Sequence, residues 1–204
     1  MEKLIDTLVN LMPYKPARET VRMMLDAGEV VTFKAKKHVV KAGDKDTNIY
    51  MIIEGVARMS YFNGQIEVTY GFGNEGSFFL SPKGFCAGEE AVYSIIAVTD
   101  VKMLKLPKEK WLQLIEASHD LSKWMLHLCM YQFYASELKA EHLQGTAEEK
   151  LQNLEKNSVV RNLASLDSKH PDVVRLVPSN VLASYLGITQ SYLSNIRKNI
   201  RKKR

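Results

Sequence analysis

Pro178 to Lys198 reads PSNVLASYLGITQSYLSNIRK, and its spacing predicts two short helices joined by a tight turn. A Ser179 hydroxyl can accept from a free N–H of the first turn, so Ser179 is expected to cap the first helix. Leu182, Ala183 and Leu186 repeat at helical spacing, and Gly187 follows, where a helix often ends on a residue that takes positive φ at little cost. Ile188 is expected to fill the corner, Thr189 to cap the second helix, and Leu193, Ile196 and Ile200 to form its buried face. Gln190, Ser191, Ser194, Asn195 and Lys198 are left facing outward. Short polar side chains of this kind meet base edges in a major groove.

The small residue at Ala183, the glycine four residues later and the aliphatics at Leu193 and Ile196 resemble the helix-turn-helix motif. An ordinary helical hairpin need not finish in a run of cations, and this one does. The chain carries +5 overall, but Arg197, Lys198, Arg201, Lys202, Lys203 and Arg204 all lie in the last eight residues. Without those six the remainder is slightly acidic. The basicity is therefore a local patch beside the second helix, the footprint expected of phosphate contact.

A chain of 204 residues, 46% of them hydrophobic, suits one large domain or two small ones with a real core. No apolar run approaches the ~18 residues of a membrane span. The N-terminal MEKLIDTLVNLMPYK carries acids and lacks the long apolar segment of a signal peptide. Cys86 and Cys129 are too few for a disulfide framework. A cytoplasmic protein with no membrane partner is expected. No phosphate loop, metal-spaced cluster or nucleophile motif points to an enzyme.

From the start, residues 2–11 and 17–27 are expected as helices, the first with Leu4, Ile5, Leu8, Val9 and Met12 on one face, the second with Val21, Met24 and Leu25. The period then changes to two. Strands are expected at Glu29–Lys34, His38–Lys41, Asn48–Glu54, Ala57–Phe62, Gln65–Tyr70 and Val101–Leu106, with a hairpin turn at Asn63-Gly64. Many short strands imply a sandwich or barrel. After Pro107 a helix is expected at Lys108–Ala117, then one long helix from Asp120 to about Gln144. Leu121, Met125, Leu128, Gln132, Ala135 and Leu138 recur on it at spacings of three and four and are expected to form a dimer seam. Trp124, Cys129 and Phe133 widen its apolar face. Gly145 ends it, and Thr146 with Glu149 forms a capping box for the next helix. A polar, less regular stretch, Lys156–Asp172, leads into the helix-turn-helix. The expected fold is α+β. A sensor β-roll would span 1–118, a dimerisation helix 119–145 and a DNA-binding domain 146–204.

This order resembles the CRP/FNR family of transcription regulators. The resemblance is carried by Gly43 and Ile49–Gly55 (IYMIIEG), by Gly76-Ser-Phe-Phe79, and by Leu182–Lys198. It implies a cyclic-nucleotide-binding-like jelly roll and a homodimer on a pseudo-palindromic duplex site, its two reading helices ~34 Å apart. By position it implies Gln190, Ser191 and Asn195 as base contacts, and Thr189 and Lys198 as phosphate contacts, to which Ser179 and Arg201 are added. The family usually reads bases there with arginine and glutamate, so a different target sequence is expected. The β-hairpin wing common in the family is expected to be absent or reduced. The resemblance further implies contact with RNA polymerase.

In cyclic-AMP-binding members a Gly-Glu pair holds the ribose and an Arg followed by Ser or Thr holds the phosphate. Without gaps these positions fall on Leu80-Ser81 and Ala91-Val92, a degenerate pocket. A buried phosphate with no cation or donors would be costly, so cyclic AMP is not the expected effector. Two cysteines do not make an iron–sulfur site, and isolated His38, His119, His127 and His142 do not argue for haem, so no cofactor is expected. Cys129 reads as inert helix packing. Met51, Met59, Tyr61, Phe72, Met125 and Tyr131 fit either ordinary core or the lining of an apolar pocket. Regulation by expression level, with no small ligand, also stays open. The competing expectation is an effector-binding or protein-interaction module whose C-terminal hairpin contacts another protein.

Overall fold

The computed structural model describes residues 1–10, 14–156 and 176–202. Its elements are α1 (Glu2–Val9), α2 (Arg18–Ala27), β1 (Glu29–Phe33), β2 (His38–Val40), β3 (Ile49–Glu54), β4 (Ala57–Asn63), β5 (Ile66–Gly73), β6 (Phe78–Leu80), α3 (Pro82–Ala87), β7 (Ser94–Ala97), β8 (Val101–Leu106), α4 (Lys108–Ala117), α5 (His119–His142), α6 (Ala147–Lys156), α7 (Ser179–Leu186) and α8 (Gln190–Lys202). The strands make two four-stranded antiparallel sheets, ordered β1-β8-β3-β6 and β2-β7-β4-β5. The α+β jelly-roll expectation therefore holds.

Period two explains how the roll fills. In β3, Tyr50 and Ile52 point between the two sheets, beside Phe79, Ile95 and Met103. Ile49 and Met51 point the other way, into a layer of helices. Both faces of β3 are thus covered, which is why IYMII is apolar throughout. The covering layer is α1, α2, α4 and α5, joined through Ile5, Leu8, Met24, Trp111, Leu121, Trp124 and Leu128.

One carboxylate secures that layer. Asp120, in the first turn of α5, accepts from the Tyr14 hydroxyl at 2.5 Å, the Thr20 hydroxyl at 2.6 Å and the Ala17 N–H at 2.8 Å. Burial raises its pKa, but the donors outweigh burial and hold the carboxyl below its ordinary value. The position is also favourable to a negative charge at a helix N-terminus.

Strands β6 and β7 and helix α3 escaped the sequence reading. SIIA of β7 is a short apolar run buried on both faces, without alternation, and β6 has only three residues. Strand β5 runs on to Gly73, past the expected end at Tyr70, because Gly71 and Gly73 pair with Met59 and Ala57 beyond a bulge at Met59/Ser60. Expectations on Met12 and on the segment after Lys156 lie outside the described residues.

Asp120→Ala would strand three donors at once. It should lower stability by about 2–3 kcal/mol, with Asp120→Asn in between, read as the denaturant midpoint. The folded carboxyl titrates below its unfolded value, so its contribution is present above the ordinary carboxylate range and lost as pH falls through the folded value. The wild-type advantage over Asp120→Ala should therefore shrink on acidification.

Candidate nucleic-acid interface and sensor site

The C-terminal hairpin folds much as its residues require. Gly187 takes φ +70° at the end of α7, and its N–H is satisfied by the Ser184 carbonyl. The Thr189 hydroxyl accepts from the Tyr192 N–H at 3.2 Å, capping α8 as expected. Leu193 and Ile196 are buried against Leu182, Leu186 and Tyr185 of α7 and Leu151 and Leu154 of α6. The capping box ahead of α6 also forms: Thr146 Oγ1 accepts from the Glu149 N–H at 3.3 Å, and the Glu149 carboxylate from the Thr146 N–H at 2.7 Å. Ser179 is different. Pro178 takes the N-cap position with no side-chain cap, and Ser179 is the first residue of α7. Its hydroxyl instead accepts from Arg197 Nη1 at 3.2 Å, tying the two helices together.

Gln190, Ser191, Ser194, Asn195 and Lys198 are all exposed, as expected. A depression of about 280 Å3, with Leu193 among its lining, brings Ser179, Gln190, Ser194, Arg197 and Lys198 to one surface. Thr189 stands exposed at the entry to the same helix. The side chain of Arg201 lies outside the described residues. The sequence reading counted Arg197 only as charge, and it passed over Tyr192 and Asn199, which are exposed too. No acid occurs from Gln190 to Lys202, so the field of the face is uniformly positive.

Helix α7 does not stand apart from the roll. Ser184 Oγ donates to the Glu67 carbonyl at 3.0 Å and accepts from the Thr69 N–H at 2.9 Å, filling two backbone positions on the free edge of β5. Phe72 and Val56 of the roll share one core with α6, α7 and α8. Lys139 of α5 completes the junction. Its ammonium lies 3.9 Å from the Tyr70 ring centroid and 5.1 Å from that of Tyr185, and it donates to the Tyr70 carbonyl.

The residues expected as a dimer seam turn inward. Leu121 and Leu128 are buried in the chain's own helical core, where Met125 is partly buried beside them. Ala135 is buried, and Leu138 packs partly on the hairpin's core. Of the six, only Gln132 is exposed. The opposite side of α5 carries Leu126, Met130, Phe133 and Tyr134, each between 48% and 66% exposed. A helix apolar on two sides has no single stripe for periodicity to pick out, and the side holding Trp124 is the one the chain buries. Cys129, expected as packing, is exposed, as is Cys86.

The degenerate sensor positions scatter. The Ser81 hydroxyl caps α3, accepting from the Gly84 N–H at 3.1 Å. Leu80 is half-buried and Ala91 buried, whereas Val92 is 52% exposed. Glu89 pairs on the surface with Lys83. His38, His119 and His127 are exposed, His127 stacking on Tyr14 with ring centroids 4.8 Å apart. Among the described residues, no group of three or more acidic, His or Cys side chains is placed to hold a metal, and no helix is long and apolar enough to cross a membrane.

Residues 30–118 match the family model of the cyclic nucleotide-binding domain. The structure is similar to the Thermus thermophilus catabolite activator protein over 92% of this chain and 84% of that one, at TM-score 0.54 and 18% identity. It is similar to CLP, a c-di-GMP-responsive global regulator of Xanthomonas campestris, over 92% and 93%, at 0.62 and 15%. FixK2 of Bradyrhizobium japonicum matches over 86% and 85%, at 0.60 and 13%. No curated protein sequence matches the chain. The fold of this chain is shared with these three proteins, from the roll through the long helix to the C-terminal hairpin.

Burial pulls the Lys139 pKa down from 10.5 to about 8. Between those values the unfolded chain binds more protons than the folded one, so stability should rise with pH across that window. Below it, the cost of the buried charge is present in full. Lys139→Met should flatten this rise, measured as the thermal midpoint from pH 7 to pH 10. A wild-type midpoint that does not climb above pH 8 would contradict the burial of the ammonium.

Proposed function

We propose that this chain is a dimeric, sequence-specific DNA-binding transcription regulator of the CRP/FNR type. The observation that carries this reading is the outer face of α8. It is polar, free of acids and cationic at Arg197 and Lys198, on a hairpin whose aliphatic residues are already spent on the core. Gln190, Ser191 and Asn195 present amide and hydroxyl groups suited to base edges. Thr189, Lys198, Arg201 and Ser179 would meet phosphates, Ser179 through the arginine it holds. The similar catabolite activator protein and global regulator support the same reading. So does the exposed stripe of Leu126, Met130, Phe133 and Tyr134, which gives a second α5 an apolar surface to pack on.

Cyclic AMP does not fit the four sensor positions. Ser81 is occupied as a helix cap, Ala91 offers no donor and Val92 faces solvent. A cytoplasmic regulator meeting RNA polymerase follows from the same family reading.

Selection of random duplex DNA by the ligand-free protein should yield a two-fold symmetric motif with half-sites about one helical turn apart. Gln190→Ala or Asn195→Ala should each cost about 1–3 kcal/mol at one base position and relax preference there. Lys198→Ala should weaken binding to all sequences and reduce the salt slope by about one. Sequence-blind binding, unchanged by any of the three, would exclude a reading role for α8. Leu126→Glu with Phe133→Glu should shift the protein to monomer in sedimentation, whereas Gln132→Glu should not.

A further inference from the structure

The outward face of α8 has two flanks of different chemistry. At about 3.6 residues per turn, Gln190, Ser194 and Arg197 fall on one flank and Tyr192, Asn195 and Asn199 on the other, with Ser191 and Lys198 between them. The first flank leans towards α7. Arg197 donates to Ser179 there, and the depression that gathers Ser179, Gln190, Ser194, Arg197 and Lys198 includes none of the second flank. The second flank stands clear: Tyr192 is 53% exposed, Asn195 and Asn199 are exposed, and none of their side chains has a hydrogen-bond or ring partner among the described residues.

Tyr192 stands out on that flank. Leu193, Ile196 and Ile200 pack on the hairpin's core, and Tyr192 is not among the residues that do. Its backbone N–H donates to the Thr189 hydroxyl, which fixes the ring in the first turn of α8. The N-terminal end of a recognition helix is the part that meets base edges. A ring open to water gains when it finds an apolar partner, and the major groove offers one, the C5 methyl of thymine. Asn195 follows three residues later, near enough on a helix for the two side chains to act side by side. Its carboxamide carries one donor group and one acceptor, matching the N7 acceptor and N6 donor of adenine. Adenine and thymine are the two halves of one base pair. Guanine is read best by a cation, and Gln190 to Ile196 hold none, while Arg197 beside them is tied to Ser179.

We propose that the Tyr192–Asn195 flank reads an A·T pair in each half-site, Tyr192 packing its ring on the thymine C5 methyl and Asn195 donating to adenine N7 while accepting from the N6 amino group. The opposite flank, where Ser179 holds Arg197, grips phosphate. Tyr192 is then a specificity-determining residue that acts through its ring, and its hydroxyl takes no part. The assignment rests on the DNA-binding reading and adds to it the base pair that is read and the residue that reads the methyl.

The test titrates the full chain, by fluorescence anisotropy, with the duplex that selection yields and with two altered copies of it. One carries deoxyuridine for thymidine in the half-sites, which removes the methyl alone. The other carries 7-deazaadenine for adenine, which removes the N7 acceptor alone. Wild type should bind the first about fourfold more weakly per contacted methyl. It should bind the second about fivefold more weakly per lost hydrogen bond. Tyr192→Ala should lose the methyl effect and keep the N7 effect, and Asn195→Ala should do the reverse. Tyr192→Phe should behave as wild type. Both positions are exposed, so the circular dichroism melt of each variant should match that of wild type. Wild-type affinity indifferent to the methyl, a methyl effect that persists in Tyr192→Ala, or half-sites without an A·T pair overturns the proposal and leaves the DNA-binding reading standing. Selection that yields no site overturns both.

Discussion

The free edge of β5 is the constraint on which the rest depends. An edge strand must satisfy its outward N–H and C=O groups or leave them to solvent. Here Ser184 satisfies one of each with a single hydroxyl, at Glu67 and Thr69. Phe72, next to the glycine that ends the same strand, packs with its ring centroid 4.9 Å from that of Tyr185, the next position of α7. One element of the roll thereby fixes the first helix of the hairpin. That helix, through Leu182 and Leu186, fixes the second, and the second presents Gln190, Ser191 and Asn195 outward. The orientation of these three residues is thus inherited from a sheet edge that lies more than a hundred residues earlier in the chain.

Helix α5 is the other long-range part. Over 24 residues it serves three neighbours: the helical layer through Leu121, Trp124 and Leu128, the hairpin through Leu138, and the tyrosine pair Tyr70 and Tyr185 through Lys139. A cation kept at so dry a junction is favoured by the two ring faces and opposed by desolvation, and desolvation is the larger effect. The helix still has Leu126, Met130, Phe133 and Tyr134 to spare. Apolar surface on this scale, arranged along one side of a helix, is what an association seam requires.

The roll shows how a fold and its chemistry separate. Residues 30–118 match a nucleotide-binding domain, yet the short helix after β6 is capped by Ser81 and followed by Ala91 and Val92, none of which offers a phosphate a cation. A scaffold keeps its strand order through the periodicity of apolar residues, while ligand chemistry rests on a few side chains that can change without disturbing that periodicity.

Local rules were legible in the sequence. Gly187 at positive φ, the Thr189 cap and the Thr146–Glu149 box each depend on residues a few positions apart, so their residue types suffice. The outward face of α8 was legible for the same reason. The hairpin expected at Asn63-Gly64 forms one residue later, with Asn63 paired to Ile66 across Gly64-Gln65. Tertiary structure alone decided which side of α5 is buried, because two apolar stripes satisfy helical period equally well and only the shape of the facing layer, with its place for Trp124, separates them. It alone gave Ser179 to Arg197 and Ser184 to β5, since each partner lies beyond the reach of local spacing.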